Sequence, residues 1–401
     1  MLKRQFRVAL LVESSHAFGR KVLQGIADYA NAHSQWTFFF EERAFDEPAP
    51  SKLAAWKPDG IIARVSTPRM ASQIRRLRVP TIDLYDENLL PGVSKVLLDQ
   101  AASVRLAIEH LRECGFQNFA FTGFPHVRFS DLRERAFCRY VRAWGFTPHV
   151  DRTVADRPGQ HSLSAVQKSV MDNAGRFVRW LRGLPQPIGL LACNDMRAQQ
   201  VLALCADRGI NVPDAIGVVG IDNDEVRCSL SATPLTSVDP NAYRIGYESA
   251  ALLSQLLGRR RSSRCVMVDP TGVVPRRSTA AVVMADPETA ETVRFIRQHA
   301  CSGLNMAAVL RQAKVSRATL DLRFLAQIGR TPRAEIARIQ TLRVRELLST
   351  TDLPLKQIAR QAGFSHIETM YRAFRKSIGQ TPAEYRRRIR GNTHATERDE
   401  P

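Results

Sequence analysis

The chain holds no apolar run approaching the ~18 residues that a membrane-spanning helix needs, which argues against a membrane protein. Its seven cysteines are scattered, Cys193 and Cys205 being the nearest pair, so a Cys-x-x-Cys site is excluded and buried reduced thiols are expected. The histidines His16, His126, His149 and His161 fall in expected loops without a second ligand at metal spacing, and no metal is expected. Also missing are a Gly-x-Gly-x-x-Gly after the first strand, a Gly-x-x-x-x-Gly-Lys-Ser/Thr loop, a Gly-x-Ser-x-Gly elbow and a His-Glu-x-x-His pair; the chain therefore reads as no enzyme and as needing no cofactor. Met1-Leu2-Lys3-Arg4-Gln5-Phe6 leads into a strand-like run with no small-residue cleavage site, so a cytoplasmic location is expected rather than a secretory signal.

Acidic residues are scarce. The 39 Asp and Glu leave 58 Lys and Arg with a net charge of +19, which points to a polyanionic partner such as nucleic acid or an acidic membrane surface. From Glu288 onward 21 Lys and Arg face 11 Asp and Glu, so the last 114 residues carry a net of +10. With 401 residues, 44% of them hydrophobic, the chain has material for two or three domains. Pro275-Arg276-Arg277-Ser278-Thr279, an apolar run from Ala280 to Val283, and Ala285-Asp286-Pro287 read as the exit from one domain into a linker. The expected domains are residues 1–285 and 286–390, with the polar segment 391–401 a disordered tail.

The first part alternates strand and helix. Apolar runs at residues 7–12, 60–63, 81–84, 119–122, 188–192 and 216–221 are separated by helical stretches such as 101–114 and 196–208. That order predicts an α/β fold with parallel sheets, and its length suits two lobes. Ligands of such sheets bind outside the carboxyl ends of the strands. Three polar features occur there: Cys193-Asn194-Asp195, Gly220-Ile221-Asp222-Asn223-Asp224, and Arg133 early in the helix after the 119–122 run. Carboxylates that accept from vicinal hydroxyls, with a guanidinium fork, would suit a neutral polyol. Asp and Asn are also common helix caps at such junctions, so the residues alone leave both roles open.

Four ordered motifs, Asn194-Asp195-Met196-Arg197-Ala198, Val212-Pro213-Asp214, Gly217-Val218-Val219-Gly220-Ile221-Asp222-Asn223 and Pro234-Leu235-Thr236-Ser237-Val238, resemble the sugar-sensing core of LacI-type repressors and periplasmic sugar-binding proteins over most of residues 5–283. That resemblance implies a two-lobed sensor in which Arg133, Asp195 and Asp222 contact a sugar and Phe18 packs on it. It also implies a homodimer, with the 101–114 helix as a candidate dimer face. Arg64, Tyr85 and Asp86 are further candidates for closing the cleft. The chain lacks the N-terminal helix-turn-helix of LacI-type repressors, so a DNA reader has to lie elsewhere.

The basic part supplies one. Leu355, Ile358, Ala359 and Ala362 repeat at helical spacing, Gly363 allows a sharp turn, and Ser365 with Glu368 can cap a second helix carrying Ile367, Met370, Tyr371 and Phe374. Its outward face holds His366, Thr369, Arg372, Arg375 and Lys376. An upstream copy runs through Met306, Val309, Leu310, Ala313, Val315-Ser316 and Phe324, and Gly329-Arg330-Thr331-Pro332 repeats as Gly379-Gln380-Thr381-Pro382. Between the copies, residues 333–349 read as a helical spacer about 26 Å long.

Ile358-Ala359-x-x-Ala362-Gly363-Phe364-Ser365 followed by Phe374-Arg375-Lys376-x-x-Gly379-x-Thr381-Pro382 resembles the AraC/XylS-type DNA-binding domain over residues 290–390. The resemblance implies an all-α double helix-turn-helix in which Arg317, Ala318 and Asp321 read bases in the first copy, and His366, Glu368, Thr369 and Arg372 in the second. Lys314 departs from it, standing where the family has Gly. A LacI-like sensor ahead of an AraC-type reader is the order of XylR-type regulators of xylose use. The chain as a whole is thus similar to a transcription factor that takes xylose or a related sugar as effector and an operator duplex as partner, with RNA polymerase a further partner if it activates. The rival expectation is a sugar-binding α/β protein or enzyme whose helical module serves protein interaction.

Overall fold

The computed structural model describes residues 5–153, 173–258, 263–280, 286–351 and 353–390. Of the positions singled out above, residues 1–4, His161, residues 281–285 and the segment 391–401 lie outside the described residues. The chain divides into two compact units near residue 281.

The first unit holds twelve described strands: β1 (Phe6–Leu11), β2 (Trp36–Phe40), β3 (Gly60–Ala63), β4 (Thr81–Asp83), β5 (Ser94–Leu98), β6 (Asn118–Thr122), β7 (Pro148–Val150), β8 (Ile188–Ala192), β9 (Ile216–Ile221), β10 (Thr236–Asp239), β11 (Cys265–Val268) and β12 (Gly272–Val274). They form two six-stranded sheets in the orders β11-β5-β4-β3-β1-β2 and β12-β10-β9-β8-β6-β7. Every described pairing is parallel except β10 with β12. This is the expected α/β architecture in two lobes.

Central strands are apolar throughout because helices cover both faces. In β1, Val8 and Leu10 join Val22, Ile26, Ile245 and Leu253 on one side, while Ala9 and Leu11 join Ile61, Met70 and Ile74 on the other. Among the described residues the chain passes between lobes three times: after β5 into the helix Gln100–Glu113, after β10 into the helix Ala242–Leu257, and through residues 269–271 between β11 and β12.

The described part of the second unit holds helices and no strand, with helices Pro287–His299, Met306–Ala313, Arg317–Ile328, Pro332–Thr350, Leu355–Gln361, Ile367–Ile378 and Pro382–Arg390. Its described residues make two small cores. Val293, Ile296, Val309, Leu320, Phe324 and Ile336 form one; Val344, Leu348, Ile358, Ala362, Met370, Phe374 and Tyr385 form the other. The helix Pro332–Thr350 contributes to both, and its 19 residues span about 28 Å.

Some local expectations change. All seven cysteines are free, but Cys265 is exposed and Cys138 and Cys301 are half-buried, because these lie on an edge strand and on helix faces rather than in a core. His149 lies in β7 instead of a loop. No described helix is long and apolar enough to cross a membrane.

Candidate functional site

A cavity of about 280 Å³ opens at the carboxyl ends of both sheets. From the first lobe come Glu13 and Phe18 after β1, Arg64 after β3, Tyr85 and Asp86 after β4, and Gln100 after β5. From the second come Arg128, Phe129 and Arg133 on the helix Arg128–Ala143, Asn194 after β8 and Asp222 after β9. Polar groups converging within an apolar wall are the features of a small-molecule site.

Arg64 is the hub of the first lobe's side. Its guanidinium lies 4.7 Å from the Phe18 ring centre, 4.6 Å from that of Phe45 and 5.4 Å from that of Tyr85, and it donates to the Glu13 carboxylate. Glu13 is buried, and its second oxygen has no hydrogen-bond partner among the described residues, leaving an acceptor for a ligand hydroxyl. Asp83, behind this wall, accepts from the backbone N–H groups of Val65 at 3.2 Å and Tyr85 at 2.9 Å, so it positions the strand ends that carry Arg64 and Tyr85. Burial still pushes its carboxyl up to about 7 against those two bonds. His16 also lines the cavity instead of lying in a solvated loop, and burial lowers its pKa against the opposing charge of Glu13.

On the opposite side Arg133 is buried, donates from Nε to Gln100 Oε1 at 2.7 Å and from Nη1 to the Cys193 carbonyl, and lies 5.1 Å from the Phe129 ring centre. Asp222 is half-buried and its carboxylate has no hydrogen-bond partner among the described residues. Burial raises its pKa, and the Arg133 charge opposes that rise. Its φ is 133° and that of the following Asn223 is 44°, two non-glycine residues in succession in the left-handed half of conformational space, a strain that recurs at ligand sites.

Phe18, Arg133 and Asp222 therefore meet in one cavity, and Asp195 does not join them. Asp195 is buried, with Oδ1 accepting from Ser237 Oγ at 2.5 Å and Oδ2 from the Asp224 N–H at 2.8 Å and the Cys228 thiol at 3.5 Å. Its acceptors are occupied in tying the helix Asp195–Asp207 to the loop after β9. Gly220 makes room for it, since a Cβ there would lie 2.1 Å from Asp195 Oδ1. The helix cap is Asn194, accepting from the Arg197 N–H at 3.0 Å. Arg197, the other charge of that motif, is also internal, bonded to Thr122 Oγ1 at 2.9 Å and Asp151 at 3.1 Å. Glu13, Phe45, Gln100 and Arg128 were not among the residues expected from the sequence. Glu13 and Gln100 each stand two residues past the carboxyl end of a strand, a positional signal that the amino-acid pattern carries; Phe45 and Arg128 have no such signal.

In the helical unit the two helix-turn-helix pairs are Met306–Ala313 with Arg317–Ile328 and Leu355–Gln361 with Ile367–Ile378. Lys314 takes the left-handed turn conformation, φ 52°, that Gly363 takes at φ 81°. Counted from the left-handed residue to the next helix, the second turn is longer by one residue. Ser316 caps the first reading helix, accepting from the Thr319 N–H at 3.2 Å, whereas the second begins at Ile367 with His366 in the cap position and no side-chain cap bond. Ser365 therefore does not cap, and Glu368 is not held in a capping box. Arg317, Ala318, His366, Glu368, Thr369, Arg372 and Arg375 are exposed; Asp321 is half-buried and 3.9 Å from Arg317. Arg386 donates to the Leu353 carbonyl at 2.7 Å, while Arg387 is exposed within the last helix.

Family models match along the chain: XylR N-terminal domain over residues 7–89, periplasmic binding protein-like domain over 108–279 and helix-turn-helix domain over 309–388. The xylose operon regulatory protein of Escherichia coli strain K12 is 31% identical over 397 residues, 96% of this chain and 98% of that protein. Its Haemophilus influenzae counterpart is 30% identical over 396 residues, 96% and 99% of the two chains. The solved structure of the xylose-binding transcription activator xylR is 30% identical and matches with a TM-score of 0.61 over 96% of this chain and 99% of that one. The lac repressor dimer bound to operator, 20% identical, matches with a TM-score of 0.55 over 69% and 82%, a likeness of fold alone.

Proposed function

Since the chain belongs to the family of xylose operon regulatory proteins, sugar-responsive regulators of transcription that bind DNA, we propose that its effector is xylose or a related sugar held in the cavity between the two sheets. The observation that carries this reading is the pairing of Arg133 and Asp222 on one cavity, with the Asp222 carboxylate unpartnered among the described residues. Asp222 accepts from sugar hydroxyls, Arg133 donates to them, the buried Glu13 oxygen accepts a further one, and Phe18 packs on the apolar face of the ring. The chemistry is binding, not catalysis.

Sensing then belongs to residues 1–285 and reading to residues 286–390. Effector binding shifts the lobes between two states of different sugar affinity, and so changes how the paired readers meet the operator. Arg372 and Arg317 fork onto guanine, Thr369 meets a base edge, and His366, Glu368 and Arg375 complete the second face. The regulator works as a homodimer and contacts RNA polymerase where it activates. A thermal-shift screen of pentoses and hexoses on the full chain tests the effector: xylose at 100 times its Kd is expected to stabilise by about 2.7 kcal/mol. Stabilisation by hexoses alone would reject xylose.

A further inference from the structure

The two reading helices carry different chemistry on the same face. Leu320 and Phe324 seat the first helix on its core as Met370 and Phe374 seat the second, and in each pair the buried residues are four apart. Aligned on them, Ala318 stands where Glu368 does, Leu322 where Arg372 does, and Leu325 where Arg375 does. Leu322 is 69% exposed and Leu325 48%, a turn apart on one helix face. Exposed Arg311 and Lys314 precede that helix. Cations at such a border suit the phosphates on either side of a groove, and leucines between them suit the one apolar group a DNA groove presents, the C5-methyl of thymine.

We propose that the first reader, whose Arg317 forks onto guanine, selects the rest of its half of the operator by apolar contact of Leu322, with Ala318 and Leu325 beside it, to thymine methyl groups. The second reader has no such apolar pair and selects by hydrogen bonding alone. The inference rests on the reading that the Arg317–Ile328 and Ile367–Ile378 helices both enter major grooves.

The test uses a duplex recovered from a random pool by the full chain with xylose, resynthesised with deoxyuridine for thymine in one half at a time. Each contacted methyl removed under the first reader is expected to weaken wild-type binding about fourfold, the effect of one buried carbon. Leu322→Ala should lose the discrimination at the methyl that Leu322 contacts, and Leu322→Arg should bind with a preference moved toward guanine. Unchanged wild-type binding to the uracil duplex, or discrimination undiminished in Leu322→Ala, overturns the proposal. So does a Leu322→Ala chain that binds DNA normally yet fails in transcription, which would assign the face to a protein. Arg372→Ala on the same duplexes separates the two layers: if it relaxes base preference while uracil has no effect, only the methyl contact is wrong, and if neither has any effect, the groove-facing reading falls with it.

Discussion

Gln340 and Gly363 are joined by a 2.9 Å hydrogen bond from the side-chain amide to the backbone carbonyl, and the same amide donates at 2.9 Å to the Ala300 carbonyl. One residue midway along the bridging helix thus ties the first core to the turn of the second reader. Gln340→Leu should leave two carbonyls without that donor and lower the stability of the helical unit by about 2 kcal/mol. Gly363→Ala should cost more, because its Cβ would lie 2.6 Å from the Ala300 oxygen at a φ of 81°. Amide exchange in the helix Pro332–Thr350 of the full chain measures both.

Asp222 and Asp195, both at strand ends of one lobe, should separate sensing from folding. Asp222→Asn should weaken xylose binding at least tenfold and leave the melting temperature without sugar nearly unchanged, since its carboxylate holds no described partner. Asp195→Asn should do the reverse. The amide puts a nitrogen in place of one oxygen, so either Ser237 or the Asp224 and Cys228 donors lose their acceptor, and a loss of about 1–3 kcal/mol in stability is expected with sugar affinity little altered. Calorimetric titration with parallel melting of both variants decides it.

That contrast also marks how far the amino-acid pattern could be followed. β3, β8 and β9 were legible to the residue because a buried parallel strand is a continuous apolar run between turn signals. The three-residue strands β7 and β12 were not, as edge strands so short carry no periodicity. At the site, the residues alone left Asp222 and Asp195, each just past an apolar run, and Arg133, on the helix after another, open to ligand or structural roles, and nothing local set Asp195 apart. What distinguishes it is Ser237, 42 residues away, and no local pattern shows that the two meet. The duplication of the readers was legible through Phe324 and Phe374, whereas the move of the cap from Ser365 to His366 shows only in the backbone.

Glu335 gives the helical unit an acid sensitivity. Burial alone would raise its carboxyl, but Arg338 at 2.8 Å, with Arg297 and Arg330 at 3.3 and 3.0 Å, holds it down to about 2 from an ordinary 4.5. A carboxyl lowered on folding contributes stability that is complete above its unfolded value and lost as pH falls toward the folded one. Between pH ~4.5 and ~2 the wild-type unit should therefore lose up to about 3 kcal/mol that Glu335→Gln does not lose, Glu335→Gln being the less stable at pH 7. Exchange protection in the helix Pro332–Thr350, corrected for intrinsic rates, follows the difference.

Arg372 and Arg387 are both exposed and should differ in kind. Arg372→Ala is expected to cost about 1–3 kcal/mol on the selected duplex and relax preference at one base pair, with little effect on scrambled DNA. Arg387→Ala, on the last helix, should weaken both duplexes alike and reduce the salt dependence by about one phosphate contact. Equal losses on both duplexes for Arg372→Ala would make it a backbone contact.

Coupling between the cavity and the readers is what makes the chain a sensor, and its most direct measurement is the affinity of the full chain for its selected duplex, by fluorescence anisotropy at fixed salt, with and without saturating xylose. A change of roughly 5- to 150-fold in the wild type, abolished in Asp222→Asn while that variant still binds the duplex, is the predicted result. A wild-type affinity indifferent to xylose, or an equal response in Asp222→Asn, would contradict it.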